Sequence, residues 1–89
     1  MRTYHLTIST PDGSMLSEEV SALFARGAEG DLAILAGHTP FVTTVKAGTV
    51  RVELADGSEK AATTDGGILS VSKDVVTLLS GTFEWNTGM

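Results

Sequence analysis

Few side chains in this chain are equipped for chemistry. It has two histidines, six basic and eleven acidic residues, and no cysteine. A zinc site needs three or four nitrogen, sulfur or carboxylate ligands converging on one point. His5 and His38 lie on separate segments, and neither has an acidic or histidine neighbour at a ligand spacing, so no metal site is expected. A phosphate-cradling loop needs a Gly-Lys step, and no lysine here follows a glycine. A serine nucleophile on a strained elbow needs Gly-x-Ser-x-Gly, which the chain lacks. No catalytic residue, cofactor or small-molecule substrate is therefore expected. His38 sits in Gly37-His38-Thr39-Pro40, where glycine and proline fix the backbone and present the imidazole. It either hydrogen-bonds locally to shape the loop or contacts a partner from it. Asp31, just after Gly30, reads as a solvated turn residue or as a polar contact at the rim of the domain.

The elements that position these residues read as strands. Glycine and proline punctuate the chain about every ten residues, the rhythm of an all-β sandwich or barrel. Tyr4, Leu6 and Ile8 alternate with Thr3, His5, Thr7 and Ser9, and Val50, Val52 and Leu54 alternate with Thr49, Arg51 and Glu53, the period of half-buried strands. Asp56-Gly57 suits a type I′ turn, with residues 59–64 returning as the antiparallel partner. Residues 68–71 and 75–79 are rich in β-branched and aliphatic side chains and flank Ser72-Lys73-Asp74, a second hairpin. Trp85 ends the apolar pattern and is expected to cover an open end or face of the core. Residues 14–26 are ambiguous: Leu16, Val20, Leu23 and Phe24 fall on one helical face, whereas Val20, Ala22 and Phe24 alternate as in a strand. Strand is preferred, because neighbouring strands override a weak local propensity.

Eighty-nine residues with 42% hydrophobic content suffice for one core, which buries roughly 60–65% of the unfolded chain's surface. The expected organisation is one domain over residues 1–85 and a frayed end at 86–89. A net charge of −5, with no like-charge run longer than Glu18-Glu19, makes nucleic acid an unexpected partner. No apolar run approaches the ~20 residues of a membrane-spanning helix, and the N-terminus lacks a signal-peptide pattern, so direct membrane insertion is not expected.

Residues 30–48 read GDLAILAGHTPFVTTVKAG and residues 66–81 read GGILSVSKDVVTLLSG. Together with Tyr4-His5-Leu6 they resemble the epsilon subunit of the F-type ATP synthase (delta in mitochondria), over residues 3 to about 83. The resemblance implies a flattened antiparallel β-sandwich of about ten short strands, with residues 14–26 as strand. It further implies a non-catalytic subunit of the central stalk, joining the gamma subunit to the c ring and coupling ion translocation to rotary ATP synthesis or hydrolysis. Such a protein lies peripherally on the cytoplasmic face of the bacterial plasma membrane. Carried onto this sequence, Glu29, Gly30 and Asp31 correspond to the loop that meets the c ring, and Thr10, His38 and Thr43 to positions facing gamma. Ala36 and Ala47 stand where the family usually has proline, and Ala33 where glycine is common. The family's C-terminal helical hairpin, which brakes hydrolysis, has no counterpart in these residues.

A rival from another class is a lipoyl or biotinyl carrier domain, since those are also small, acidic and all-β, with a modified lysine at a hairpin turn. Lys73 occupies such a turn. Its Ser-Lys-Asp setting lacks the Asp-Lys-Ala or Met-Lys-Met context of those carriers.

Overall fold

The computed structural model describes residues 2–86. Seven strands follow in order: β1 Tyr4–Thr10, β2 Gly13–Gly27, β3 Gly30–Leu35, β4 Phe41–Leu54, β5 Glu59–Val71, β6 Val75–Ser80 and β7 Phe83–Trp85. Three of them are long and bend, so each serves two layers. The first layer runs β3, the second half of β2, the second half of β4, the first half of β5 and β7. The second runs the first half of β4, the second half of β5, β6, β1 and the first half of β2. Counting β2, β4 and β5 once in each layer recovers the ten short segments expected from the sequence. The sandwich is antiparallel except at β1 and β6, which run parallel; parallel neighbours need a long crossover, and the whole of β2 to β5 supplies it. With extents of 29 × 28 × 25 Å the body is only slightly flattened.

The bends have local causes. Thr64 and Gly48 face each other across the ladder, as do Gly66 and Lys46. Gly66 has φ +109°, and a Cβ there would come 2.7 Å from the Val45 carbonyl oxygen, so only glycine lets the two strands turn together. The Thr64 hydroxyl accepts the Gly66 N–H at 3.0 Å and shares a 2.7 Å hydrogen bond with Ser80. The bend's buried polar groups are thereby partnered.

β2 explains its own ambiguity. Its register shifts between Val20 and Ala22, a bulge that reverses which side chains face inward. Before it Leu16 and Val20 are buried, and after it Leu23 and Ala25. The extra residue turns a spacing of two into the helix-like spacing of Leu16, Val20 and Leu23. Residues 14–26 are strand, but the inward set after the bulge is Leu23 and Ala25, and Phe24 points to the outer surface beside Arg51. Ser21, at the bulge, donates its hydroxyl to Glu53 Oε1 at 2.8 Å.

The first hairpin also departs from expectation. Only Gly57 has positive φ, at +92°; Asp56 does not. The Gly57 N–H bonds the Leu54 carbonyl at 3.0 Å, and the Leu54 N–H bonds that of Ser58 at 2.8 Å. Two residues thus oppose one, and the turn is a bulged one in place of type I′. The second hairpin forms as read, closed by Ser72 N–H to Val75 O at 2.9 Å.

Leu6, Ile8, Leu23, Leu69 and Leu78 fill the core with Val20, Val50, Val52 and Val76. Each such burial contributes about 1.5–3 kcal/mol. Trp85 packs on the edge of this core, as expected, donating its indole N–H to Met15 O at 3.2 Å beneath Lys60 Nζ. Asn86 donates its N–H to Ala61 O at 2.8 Å; the rest of the expected frayed end lies outside the described residues.

Candidate protein–protein interface

The two outer faces differ in kind. On the second layer, cross-strand register aligns Thr44, Ile68, Leu79 and Ser9 in one row. Val42, Ser70, Thr77 and Thr7 form the next. Val42 is 69% exposed, Leu79 54% and Ile68 51%. Ile68 and Leu79 are direct partners in the β5–β6 ladder, so their side chains make one apolar patch among hydroxyls. Such a patch costs solubility unless something covers it.

The first layer's outer face is charged. Arg51 lies over the Phe24 ring at 4.6 Å and reaches Glu59 Oε1 at 3.4 Å. Arg26 stands opposite Asp31 across the β2–β3 ladder, 3.8 Å apart. With side chains 62% and 87% exposed, this pair contributes little stability and leaves Asp31 free to meet another cation.

Glu29 and Gly30 sit with Asp31 around the β2–β3 turn, all exposed. Gly30 has φ +133°, a backbone that only glycine readily adopts. The three residues read from the sequence as one loop are thus one projecting corner.

Thr10, His38 and Thr43 are not gathered at a point. Thr10 ends β1, where its hydroxyl accepts the Asp12 N–H at 3.2 Å. Thr43 lies on β4 opposite Leu69, half-buried. His38 stands at the other end of the layer: Nδ1 is 2.9 Å from Leu35 O and Nε2 is 2.7 Å from Ser72 O. A neutral imidazole has one N–H to donate, so the neutral ring makes one of these bonds and the protonated ring makes both. The Tyr4 ring meets it edge-on at 5.2 Å, and the Tyr4 hydroxyl donates to Ile34 O at 2.7 Å. Burial raises the Tyr4 hydroxyl's pKa above its ordinary value. His38 therefore carries a local structural role whatever else it contacts. Thr10 and His38 thus lie at opposite ends of the layer that carries the apolar face, whereas Thr43, in register with buried Leu69, points to the inner side of its strand and away from that face.

Two carboxylates are held ionised by their hydrogen bonds. Asp56 accepts the Ser58 hydroxyl at 2.6 Å and the Ser58 N–H at 2.9 Å, and Asp65 accepts the Thr82 N–H at 2.9 Å. Both pKa values fall below 3.8, led by the Ser58 hydroxyl at Asp56 and by the Thr82 N–H at Asp65. His5 faces Glu19 and Ser17 at 3.2 and 3.0 Å. Lys73 is exposed at the β5–β6 turn. Among the described residues no acid, base and nucleophile converge on one point.

The sequence reading missed Val42, Ile68 and Leu79. A signal was present in Val75-Val76-Thr77-Leu78-Leu79, a nearly continuous apolar run where a strand with one wet face would alternate.

Comparison with known proteins accounts for the architecture. The family model for the ATP synthase delta/epsilon chain, beta-sandwich domain, matches residues 3–86. The ATP synthase epsilon chain of Delftia acidovorans is 42% identical over 82 residues, 92% of this chain and 59% of that protein. The epsilon chain of a Psychrobacter species is 38% identical over the same shares. The chain thus spans about 59% of the length of these curated relatives. A chain in the cryo-EM structure of the Euglena gracilis mitochondrial ATP synthase with its c-ring superposes with a TM-score of 0.88 at 28% identity, covering 93% of this chain and 53% of that one. One in the Tetrahymena thermophila mitochondrial ATP synthase structure of central stalk and c-ring shares the fold, with a TM-score of 0.77 at 18% identity, covering 92% and 66%. None of this supports a lipoyl or biotinyl carrier modified on Lys73. Through its β-sandwich, the chain belongs to the ATP synthase delta/epsilon family.

Proposed function

We propose that this domain is a non-catalytic part of the central stalk of an F-type ATP synthase, linking the gamma subunit to the c ring. In that role it couples ion translocation to rotary ATP synthesis or hydrolysis, held peripherally at the cytoplasmic face of a bacterial plasma membrane. The observation that carries the reading is the pairing of family membership with two unlike outer surfaces on one rigid sandwich. A torque-transmitting part needs stiffness and two separate contacts, and makes or breaks no bond.

In this reading gamma covers the face of Ile68, Leu79 and Val42, with Thr10 and His38 at its ends and Thr43 reached at the free edge of β4. Hydroxyls among apolar side chains suit a packed interface without buried charge. The corner of Glu29, Gly30 and Asp31 meets a basic residue of the c ring, which replaces or shares the weak Arg26 partner of Asp31.

The test is recovery of the assembled rotor from membranes. Asp31→Lys should lower the amount of c ring recovered with the chain while leaving gamma attached. Full recovery of the ring would remove Asp31 from the contact, and purification of the chain without gamma or catalytic subunits would overturn the assignment.

A further inference from the structure

Among the described residues, four segments have a ladder partner on one side only: the first half of β2, β3, the first half of β4, and β7. Free edges invite another chain to pair, and proteins usually guard them with charge or brevity. The β2 edge carries Glu18 and Glu19, β3 begins at Gly30-Asp31, and β7 is three residues long with Glu84 at its centre. The β4 edge has no such guard. Residues 41–44 read Phe-Val-Thr-Thr, and no Asp, Glu, Lys or Arg occurs anywhere in residues 32–45.

The direction of the free backbone groups follows from the hairpin. In the second hairpin the Ser72 N–H bonds Val75 O, and bonded and non-bonded pairs alternate along an antiparallel ladder. Stepping back by twos, Ser70 and Ile68 bond to β6, which leaves Val71, Leu69 and Gly67 to bond Phe41, Thr43 and Val45, so Val42 and Thr44 point their N–H and C=O groups away from β5. The β2–β4 pairing reaches no further than Val45. Beside this edge runs an open groove of about 380 Å³ whose far wall is the β2–β3 turn, including Gly27, Glu29 and Leu32. Among the described residues Glu29 has no ion-pair partner within the groove.

We propose that residues 41–44 of β4 accept one extended strand from the protein that covers the adjoining apolar face, with backbone hydrogen bonds to Val42 and Thr44. The added segment would be β-branched or aromatic, with a lysine or arginine set beside Glu29. The occupant follows from two observations: the edge is continuous with the exposed patch through Val42, and the only charge lining the groove on its far wall is acidic. The inference rests on the reading above, with gamma as that protein.

The experiment is amide hydrogen exchange at Val42 and Thr44 in the chain alone and in its complex with gamma. Exchange should be fast alone and slow by about tenfold or more in the complex, as ladder bonds require. Thr44→Pro removes an outward N–H and spares the β5 ladder, so it should weaken the complex about tenfold or more, whereas Thr44→Val should not. A complex that forms with both amides still exchanging freely would overturn the strand addition and leave the gamma assignment standing. Failure of the folded chain to bind gamma would overturn both. Protection that grows with concentration of the chain alone would give the edge to a second copy, and would also overturn the proposal.

Discussion

His38 Nε2 lies 2.7 Å from the carbonyl oxygen of Ser72, 34 residues further along the chain. The contact ties the loop between β3 and β4 to the β5–β6 turn, next to the edge of the Tyr4 ring. His38→Ala should therefore lower stability by about 1 kcal/mol, the usual net value of a hydrogen bond. Urea unfolding checks this, and an unchanged midpoint would leave His38 with a contact role alone.

Gly66→Ala should cost more. The new Cβ would meet the Val45 carbonyl oxygen at 2.7 Å with the backbone at φ +109°, strain of about 1–3 kcal/mol. Gly57→Ala has the same sign of φ but open space around it, so the difference between the two midpoints measures the steric part.

Ile68→Asp together with Leu79→Asp should leave the sandwich folded, since both side chains are more than half exposed. Binding to gamma should fall about a hundredfold or more, because two carboxylates would lose water without partners. Circular dichroism and co-purification, measured side by side, separate a lost interface from a lost fold.

Acid should act through Asp56 and Asp65. Their pKa values are lowered on folding, so the stability they contribute is complete above the ordinary carboxylate value of 3.8 and is lost as pH falls through the folded values. Asp65→Asn should flatten the dependence of stability on pH below about pH 4. An unaltered slope in acid unfolding would show that the Thr82 N–H does not hold Asp65 ionised.

Much was legible in the sequence. Alternation in Tyr4, Leu6 and Ile8 and in Val50 and Val52 fixed their inward faces, because a strand's side-chain period is a property of the backbone itself. Turn residues located both hairpins for the same local reason. The type of the first turn was less accessible, since Asp56 tolerates either sign of φ and the hairpin's bulge decided it. Only the tertiary structure settled β2, where one bulge at Ser21 reversed the facing of every residue after it. Which residues share an outer surface was likewise out of reach: Thr44, Ile68, Leu79 and Ser9 are scattered through the chain and meet only because three strands bend between layers and β1 returns beside β6. Sequence spacing states the local in and out of each strand, whereas a surface depends on which strands become neighbours, and that is set by long-range pairing.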